Sequence, residues 1–308
     1  MITMKKKYCN ILIITIIVLL LTMFVVLVCT RTNNLSILVL EKHYSLLYDT
    51  MPKIDISLYS NQPESKYLKS SKIENVKIYN DTDLYSVKID EIVSTNNSIT
   101  YQNNIYYENK LTLTLDVVSE QAISISNAKL LIEYDSDEFF DVEIGNIAFS
   151  KENINNSLNI HKVQGIVNDF GLYQSLSAIH LKVSSEYDLI INNISLISPT
   201  VNVNYDYLLL GDELYYDHTT PAKEIFGSSF NSFICENNSF SKIHLTKNIQ
   251  KDVIIPLHYS EKELLDSVGL LIEYTINGIE YIYTVNPYKL FNTNDIEYFL
   301  HEYKISTN

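Results

Sequence analysis

Four acidic side chains in one short stretch are the residues of this sequence best suited to binding a metal ion. The stretch is YDSDEFFD, and its acids are Asp135, Asp137, Glu138 and Asp141. Oxygen ligands at nearly alternate positions are what Ca²⁺ prefers, so this turn is a candidate calcium site. The glycine-centred loop of the EF-hand is absent, and acids are also common in ordinary turns between strands. Both interpretations stay open.

Two further polar groups have weaker spacing. The stretch GDELYYDHTTP holds Asp212, Glu213, Asp217 and His218. Locally only His218 and one carboxylate can pair, whereas a metal site needs several converging ligands. Glu297 and His301 are four residues apart and would share one face of a predicted helix, as ordinary polar pairs do.

Catalytic and cofactor motifs are absent from the sequence. The seven histidines form no His-Glu-x-x-His motif, no Gly-x-Ser-x-Gly occurs, and no glycine-rich phosphate loop follows a predicted strand. We therefore expect no cofactor, and a binding protein instead of an enzyme. The chain has 24 Tyr and no Trp, and exposed tyrosines suit a protein interface. The absence of Trp argues against a sugar ligand.

Charge and cysteine content restrict the class of protein. The formal net charge is −14, although residues 1–30 hold three lysines and no acid. An acidic surface repels phosphate backbones, so we expect no nucleic-acid partner. Cys235 is the one cysteine after residue 30, so no disulfide forms within that part; this favours a bacterial surface protein or a reduced compartment. A buried thiol and an intermolecular bridge are the two interpretations of Cys235.

The amino-terminal stretch KKKYCNILIITIIVLLLTMFVVLVCTR predicts a membrane anchor. No charge occurs in residues 8–30, and a helix of that length spans roughly 34 Å, enough to cross a hydrocarbon core of ~30 Å. A cleaved signal would be shorter, and lipid attachment at Cys29 would need a small residue where Val28 stands. We predict a cytoplasmic tail (1–7), a single-pass transmembrane helix in contact with membrane lipid (8–30), and an exported body, since the lysines precede the span.

In the exported body, the sequence predicts a helix first and strands after it. Residues 31–74 have helix-like apolar spacing up to Pro52, which predicts a juxtamembrane helix and stalk. Period-two runs then follow, as in Leu111, Leu113 and Leu115 alternating with polar residues, and predict a β-sandwich at 75–204 and a second, smaller β-rich domain at 205–308. The fold class is all-β: a transmembrane helix followed by one or two β-sandwich domains, jelly-roll or Ig-like, with a few short helices.

Turn and helix signals mark the second half of the chain. Asn277 and Gly278 separate two strand-like runs and favour a hairpin turn. Short helices are predicted after Pro221, from Ser260 with a capping-box spacing, and near Asn294. The sequence LLIEY ends both the stretch 119–134 and the stretch 260–274. Module duplication and chance in a chain rich in Leu, Ile and Tyr both explain this echo.

Residues 111–204 resemble cohesin modules and the related carbohydrate-binding-type sandwiches of bacterial surface proteins. The matching runs, in order, are LTLTLDVV, ISNAKLLIEYDSDEFFDVEIGNI, GIVNDF, LSAIHLKV and INNISL. The resemblance implies a nine-stranded jelly-roll with a binding role. Together with the anchor it predicts a surface protein that binds a protein partner. The alternatives are a structural subunit of an envelope machine for secretion or conjugation, and an exported carbohydrate binder or enzyme.

Overall fold

The computed structural model describes residues 35–63, 66–116, 122–135, 138–153, 157–169, 174–216, 220–235, 239–265, 268–286 and 296–305. Most of their regular structure is strand. The strands are β1 (Leu35–Leu40), β2 (Lys42–Tyr48), β3 (Lys53–Ser60), β4 (Ile73–Tyr79), β5 (Leu84–Tyr101), β6 (Asn104–Leu115), β7 (Ile123–Tyr134), β8 (Phe139–Lys151), β9 (Leu158–Asp169), β10 (Gln174–Ser185), β11 (Leu189–Leu196), β12 (Val201–Val203), β13 (Leu209–Gly211), β14 (Ile243–Leu245), β15 (Lys251–Tyr259), β16 (Leu270–Ile276), β17 (Ile279–Val285) and β18 (Leu300–Ile305). A short helix, α1, covers Ala222–Phe226, and 3₁₀ turns cover Lys66–Leu68, Ser70–Lys72, Tyr205–Tyr207 and Ile296–Phe299.

Strands β1 to β8 and β18 form the first sandwich. They pair in the order β18-β1-β3-β6-β5-β4-β7-β8-β2. The sheet folds over at β5, whose first residues pair with β4 and whose remaining residues pair with β6. The two resulting layers share one core. Alternation along β6 buries Leu111, Leu113 and Leu115 in that core, as predicted.

Strands β9 to β17 form the second sandwich. One sheet has the order β12-β15-β10-β9, with β13 also paired to β15, and the other has the order β14-β11-β16-β17. Side chains from the inner faces of both sheets make a second, separate core.

Both sandwiches have an immunoglobulin-type strand order. In that fold, strands A-B-E-D form one sheet and C-F-G the other. The first sandwich matches with β1-β3-β6-β5 and β4-β7-β8, and the second with β9-β10-β15 and β11-β16-β17. Strands β8 and β17 therefore occupy the same position, the last strand of the C-F-G sheet.

The predicted domain boundaries do not coincide with these sandwiches. Residues 111–204, which carry the cohesin resemblance, are divided: β6 to β8 belong to the first sandwich and β9 to β12 to the second. The nine-stranded jelly-roll implied by the resemblance is therefore not a unit of this fold. Period-two patterns identify strands but do not specify which strands become neighbours.

The predicted fold class was wrong in its helical part. From Leu35 onward the predicted juxtamembrane helix and stalk form β1 to β4. All six residues of β1 are buried, so its apolar residues form a continuous run that periodicity alone cannot distinguish from a helix. No helix in the described part of the chain has the length and apolarity to cross a membrane, and residues 8–30 lie outside that part. The fold class is corrected to all-β.

Two of the three predicted short helices are also wrong. The residues after Ser260 form no helix, and near the carboxyl end a 3₁₀ turn leads into β18, which pairs with β1. Pairing with a distant strand here overrides local helix preference. Helix α1 follows Pro221 as predicted.

The repeated LLIEY sequence lies in equivalent strands. One copy, 130–134, is in β7 and the other, 270–274, is in β16, the F position of each sandwich. In both copies the first, third and fifth residues are buried and the other two are not. The structure thus gives the two copies the same place and the same orientation.

Candidate interaction surface

The predicted calcium ligands lie around the connection between β7 and β8. Asp135 Oδ2 is 3.1 Å from Lys72 Nζ, and Asp141 Oδ2 accepts a 2.7 Å hydrogen bond from Tyr79 Oη. Asp137 lies outside the described residues. Among the residues that are described, no three His, Cys, Asp or Glu side chains are grouped so as to hold a metal ion. The calcium site stays a prediction.

The weaker polar groups find other partners. Asp212 forms an ion pair with Lys251, while Asp217 and His218 lie outside the described residues. His301 Nε2 is 2.7 Å from Glu41 Oε2. Cys235 is exposed, so its interpretation as a buried thiol was wrong.

A buried His–Asp pair anchors a loop on the second sandwich. His180 Nε2 is 2.7 Å from Asp252 Oδ1, and both residues are almost fully buried. Asp252 Oδ2 also accepts a 3.1 Å hydrogen bond from the Leu214 N–H. Nearby, Leu214 packs with the α1 residues Ile225 and Phe226 against a cluster that β9, β10 and β15 provide. Because the carboxylate orients both the imidazole and a loop amide, we assign the pair a structural role.

Glu263 is the centre of a buried polar network where the two sandwiches meet. Its carboxylate accepts hydrogen bonds from Thr200 Oγ1 at 2.6 Å and Asn146 Nδ2 at 2.9 Å, and its Oε2 is 3.2 Å from His43 Nδ1. The side chain is 7% exposed. Burial raises the pKa of Glu263, but the interactions with His43, Thr200 and Asn146 outweigh it and leave the pKa below its usual value.

The second sandwich covers the outer edge of strand β2 at this junction. Strand β2 in turn covers β8, the last strand of the C-F-G sheet in the first sandwich. β2 pairs in parallel with residues 145–151 of β8. The other edge of β2 meets the second sandwich: the His43 N–H donates to the Leu264 C=O at 3.0 Å, and Ser45 Oγ donates to the Ile197 C=O at 2.8 Å. Sequence analysis missed this contact because His43 and Glu263 are 220 positions apart and no spacing motif connects them.

Strand β17 follows a tight turn, as predicted. Asn277 and Gly278 have φ of +51° and +80° and form a two-residue connection from β16. The residues that flank such a turn hydrogen-bond to each other, and bonded pairs then alternate along the hairpin. Ile279, Tyr281 and Tyr283 therefore direct their backbone groups at β16.

The residues between them, Glu280, Ile282 and Thr284, direct their backbone groups away from β16. The Thr284 N–H donates to the Asn153 C=O at 2.9 Å, which agrees with the alternation. In the described part of the chain, no other strand pairs with this edge of β17.

Two open grooves follow the outer face of β16 and β17. The larger, of about 840 Å³, is lined by Glu273, Glu280 and Ile282 among others. The second, of about 510 Å³, shares Glu273 and Ile282 and reaches residues 150–153 of the first sandwich. Ile282 is 47% exposed and Ile279 59% exposed. In the described part of the chain, an open strand edge and a groove lined by the exposed Ile282 therefore coincide on one hairpin.

Comparison with known proteins adds solved structures of low similarity. No protein-family model matches the sequence, and no curated protein does. The C-terminal domain of the Streptococcus agalactiae AgI/II polypeptide BspA aligns at 10% identity over 81% of this chain and 98% of that one, with a TM-score of 0.22. The D00–D0 domain of intimin aligns at 9% identity over 83% and 100% of the two chains, with a TM-score of 0.20. Bovine butyrophilin aligns at 8% identity over 79% and 94%, with a TM-score of 0.21. At these scores the likeness carries no argument about function, and the fold assignment rests on the strand order above.

Proposed function

We propose that this chain is a non-enzymatic binding protein that acts outside the cytoplasm at a bacterial surface and contacts a protein partner. The observation that carries the proposal is the coincidence, among the described residues, of an open sheet edge and a groove lined by the exposed Ile282 on the β16–β17 hairpin. Apolar side chains beside a groove suit a protein ligand. The acidic net charge of −14 suits a partner that offers cationic side chains.

The test is direct binding by the full chain. It would be immobilised and presented with solubilised bacterial surface proteins, and each recovered protein would be purified and titrated against it. We expect saturable binding of at least one purified protein, together with blank results on a glycan array and in a broad hydrolase screen. Recovery of a single abundant envelope assembly would favour a structural subunit of that machine. Saturable glycan binding or turnover without any protein ligand would overturn the proposal.

A further inference from the structure

Resting on this proposed function, we propose that β17 binds its partner by strand addition. An extended segment of the partner would lie along the open edge and hydrogen-bond to the backbone of Glu280 and Ile282. On the groove side this segment would carry a basic and an apolar side chain two residues apart.

The backbone groups needed for strand addition are in place. Glu280 and Ile282 each direct one N–H and one C=O away from β16 and lie on the same face of the sheet, two positions apart. The next residue in that series, Thr284, already uses its N–H to bind the Asn153 C=O, and its Oγ1 accepts a 2.7 Å hydrogen bond from the Asn153 N–H. An extended segment that continues this pattern along β17 would meet two further donor–acceptor pairs. Such main-chain bonds provide affinity in strand addition, and side-chain pockets provide selectivity.

Apart from the charge of Glu280, the edge of β17 lacks the features that normally protect a sheet edge. Proteins protect edges with charged side chains, above all lysine, and with proline, bulges, short strands or a covering segment. The sequence of β17, IEYIYTV, has no lysine, proline or glycine, and its pairing with β16 has no register shift.

Several other edges in the described part of the chain do carry such protection. Strand β9 contains Lys162 and pairs with β10 through two irregularities. Strands β12 and β14 are three residues long, and the second sandwich covers β2. Of these strands, β17 is the one whose outer edge can pair with an added strand.

Strand addition at this position has a precedent within the molecule. Strand β8 occupies the same place in the first sandwich, and β2 adds to it in parallel over residues 145–151. The added segment, KHYSLLY, carries Lys42 beside alternating apolar residues. The precedent shows that the last strand of this sheet can take a further neighbour without a change of fold.

Charge defines the chemistry of the proposed ligand. Glu280 lies on β17, and Glu273 lies directly across from Ile282 on β16. Both glutamates line the groove, and β17 itself has no cation. Lys242 and Lys151 line the two grooves from other segments. On an added strand, a basic side chain opposite Glu280 would be attracted to the two glutamates. An apolar side chain beside Ile282 would pack against it. The same negative charge disfavours a second copy of this chain as the occupant.

The experiment uses the full chain and two short capped peptides. In one peptide lysine and valine alternate with threonine, and in the other glutamate replaces lysine. We expect the lysine peptide to shift the amide resonances of Glu280 and Ile282 saturably and to slow their hydrogen exchange. The glutamate peptide should bind at least roughly tenfold more weakly, since like charges at paired positions oppose pairing.

Two variants separate backbone from side-chain effects. Ile282→Pro removes the outward N–H without removing a bond to β16, and proline is tolerated at such edge positions. It should weaken the lysine peptide roughly tenfold, the cost of about one hydrogen bond. The matched control Ile282→Ala keeps the N–H and should bind more tightly than Ile282→Pro. Circular dichroism and the resonances of the first sandwich verify that both variants are folded.

Three outcomes would overturn the inference. They are equal binding of both peptides, lysine-peptide binding that is no weaker in Ile282→Pro than in wild type, and concentration-dependent dimerisation through β17 in place of peptide binding. A purified protein partner that binds wild type and Ile282→Pro equally would leave the proposed function standing while this inference fails. If the chain binds the peptide at β17 but binds no protein partner, the proposed function fails while strand addition at β17 stands.

Discussion

The outer edge of the last strand of the C-F-G sheet is covered in the first sandwich and open in the described part of the second. In the first, β8 is paired with β2 along residues 145–151, and β2 is in turn covered by the second sandwich. In the second, β17 keeps an open edge in the described part of the chain, apart from one contact with Asn153. The position of a strand in the fold therefore does not decide whether its outer edge can pair with a further strand. That depends on whether neighbouring segments of the chain cover the edge.

The covered edge depends on one glycine. Gly145 has φ +98°, and a Cβ there would lie 2.2 Å from the Lys42 carbonyl oxygen. Only glycine allows β2 to approach β8 this closely. Gly278, in the turn before β17, also has positive φ, but a Cβ there would have no heavy atom within 4 Å. The two glycines are thus a matched pair, one needed for conformation and contact, the other for conformation alone.

The largest expected effect comes from Gly145→Ala. Backbone strain and the clash with Lys42 should together lower the free energy of unfolding by roughly 4 kcal/mol. Gly278→Ala introduces backbone strain without a clash and should lower the free energy of unfolding by about 1 kcal/mol. Urea denaturation of both variants measures the difference. Equal losses would mean that the approach of β2 to β8 does not limit stability.

Removal of the junction carboxylate should have the next largest effect. Glu263→Ala leaves the polar groups of His43, Thr200 and Asn146 buried without their acceptor, and we expect a loss of roughly 3 kcal/mol. Asp55→Ala is the matched control, because its ion pair with Lys110 is exposed and should be worth less than about 1 kcal/mol. If the two variants unfold at the same denaturant concentration, the junction network does not hold the sandwiches together.

The smallest effect is a pH dependence at the same residue. The folded-state pKa of Glu263 is below its ordinary value, so the folded state favours the ionised form. The stability from this carboxylate is fully present above the ordinary, unfolded pKa and is lost as the pH falls through the lowered folded pKa. The difference in stability between wild type and Glu263→Gln should therefore shrink from about pH 6 to pH 3. A difference that is constant over this range would contradict the ionised assignment.

Local patterns predicted the strands far better than their arrangement. The alternation through Leu111, Leu113 and Leu115 and the turn at Asn277 and Gly278 depend on neighbours in sequence, and both predictions are confirmed. The helix predicted around Leu35 failed because β1 is buried on both faces, which removes the period-two signal. The cohesin resemblance failed because it joined strands that belong to different sandwiches.

The sequence by itself determined that this chain is built mostly of strands, that Leu111, Leu113 and Leu115 face a core, and where the β16–β17 hairpin turns, since side-chain alternation and turn conformation are properties of a few consecutive residues. The tertiary structure alone decided that His43 meets Glu263, that β2 covers β8 and that no other strand among the described residues pairs with the outer edge of β17. Strand pairing joins residues up to hundreds of positions apart, and its outcome is set by which surfaces fit together once the chain has folded.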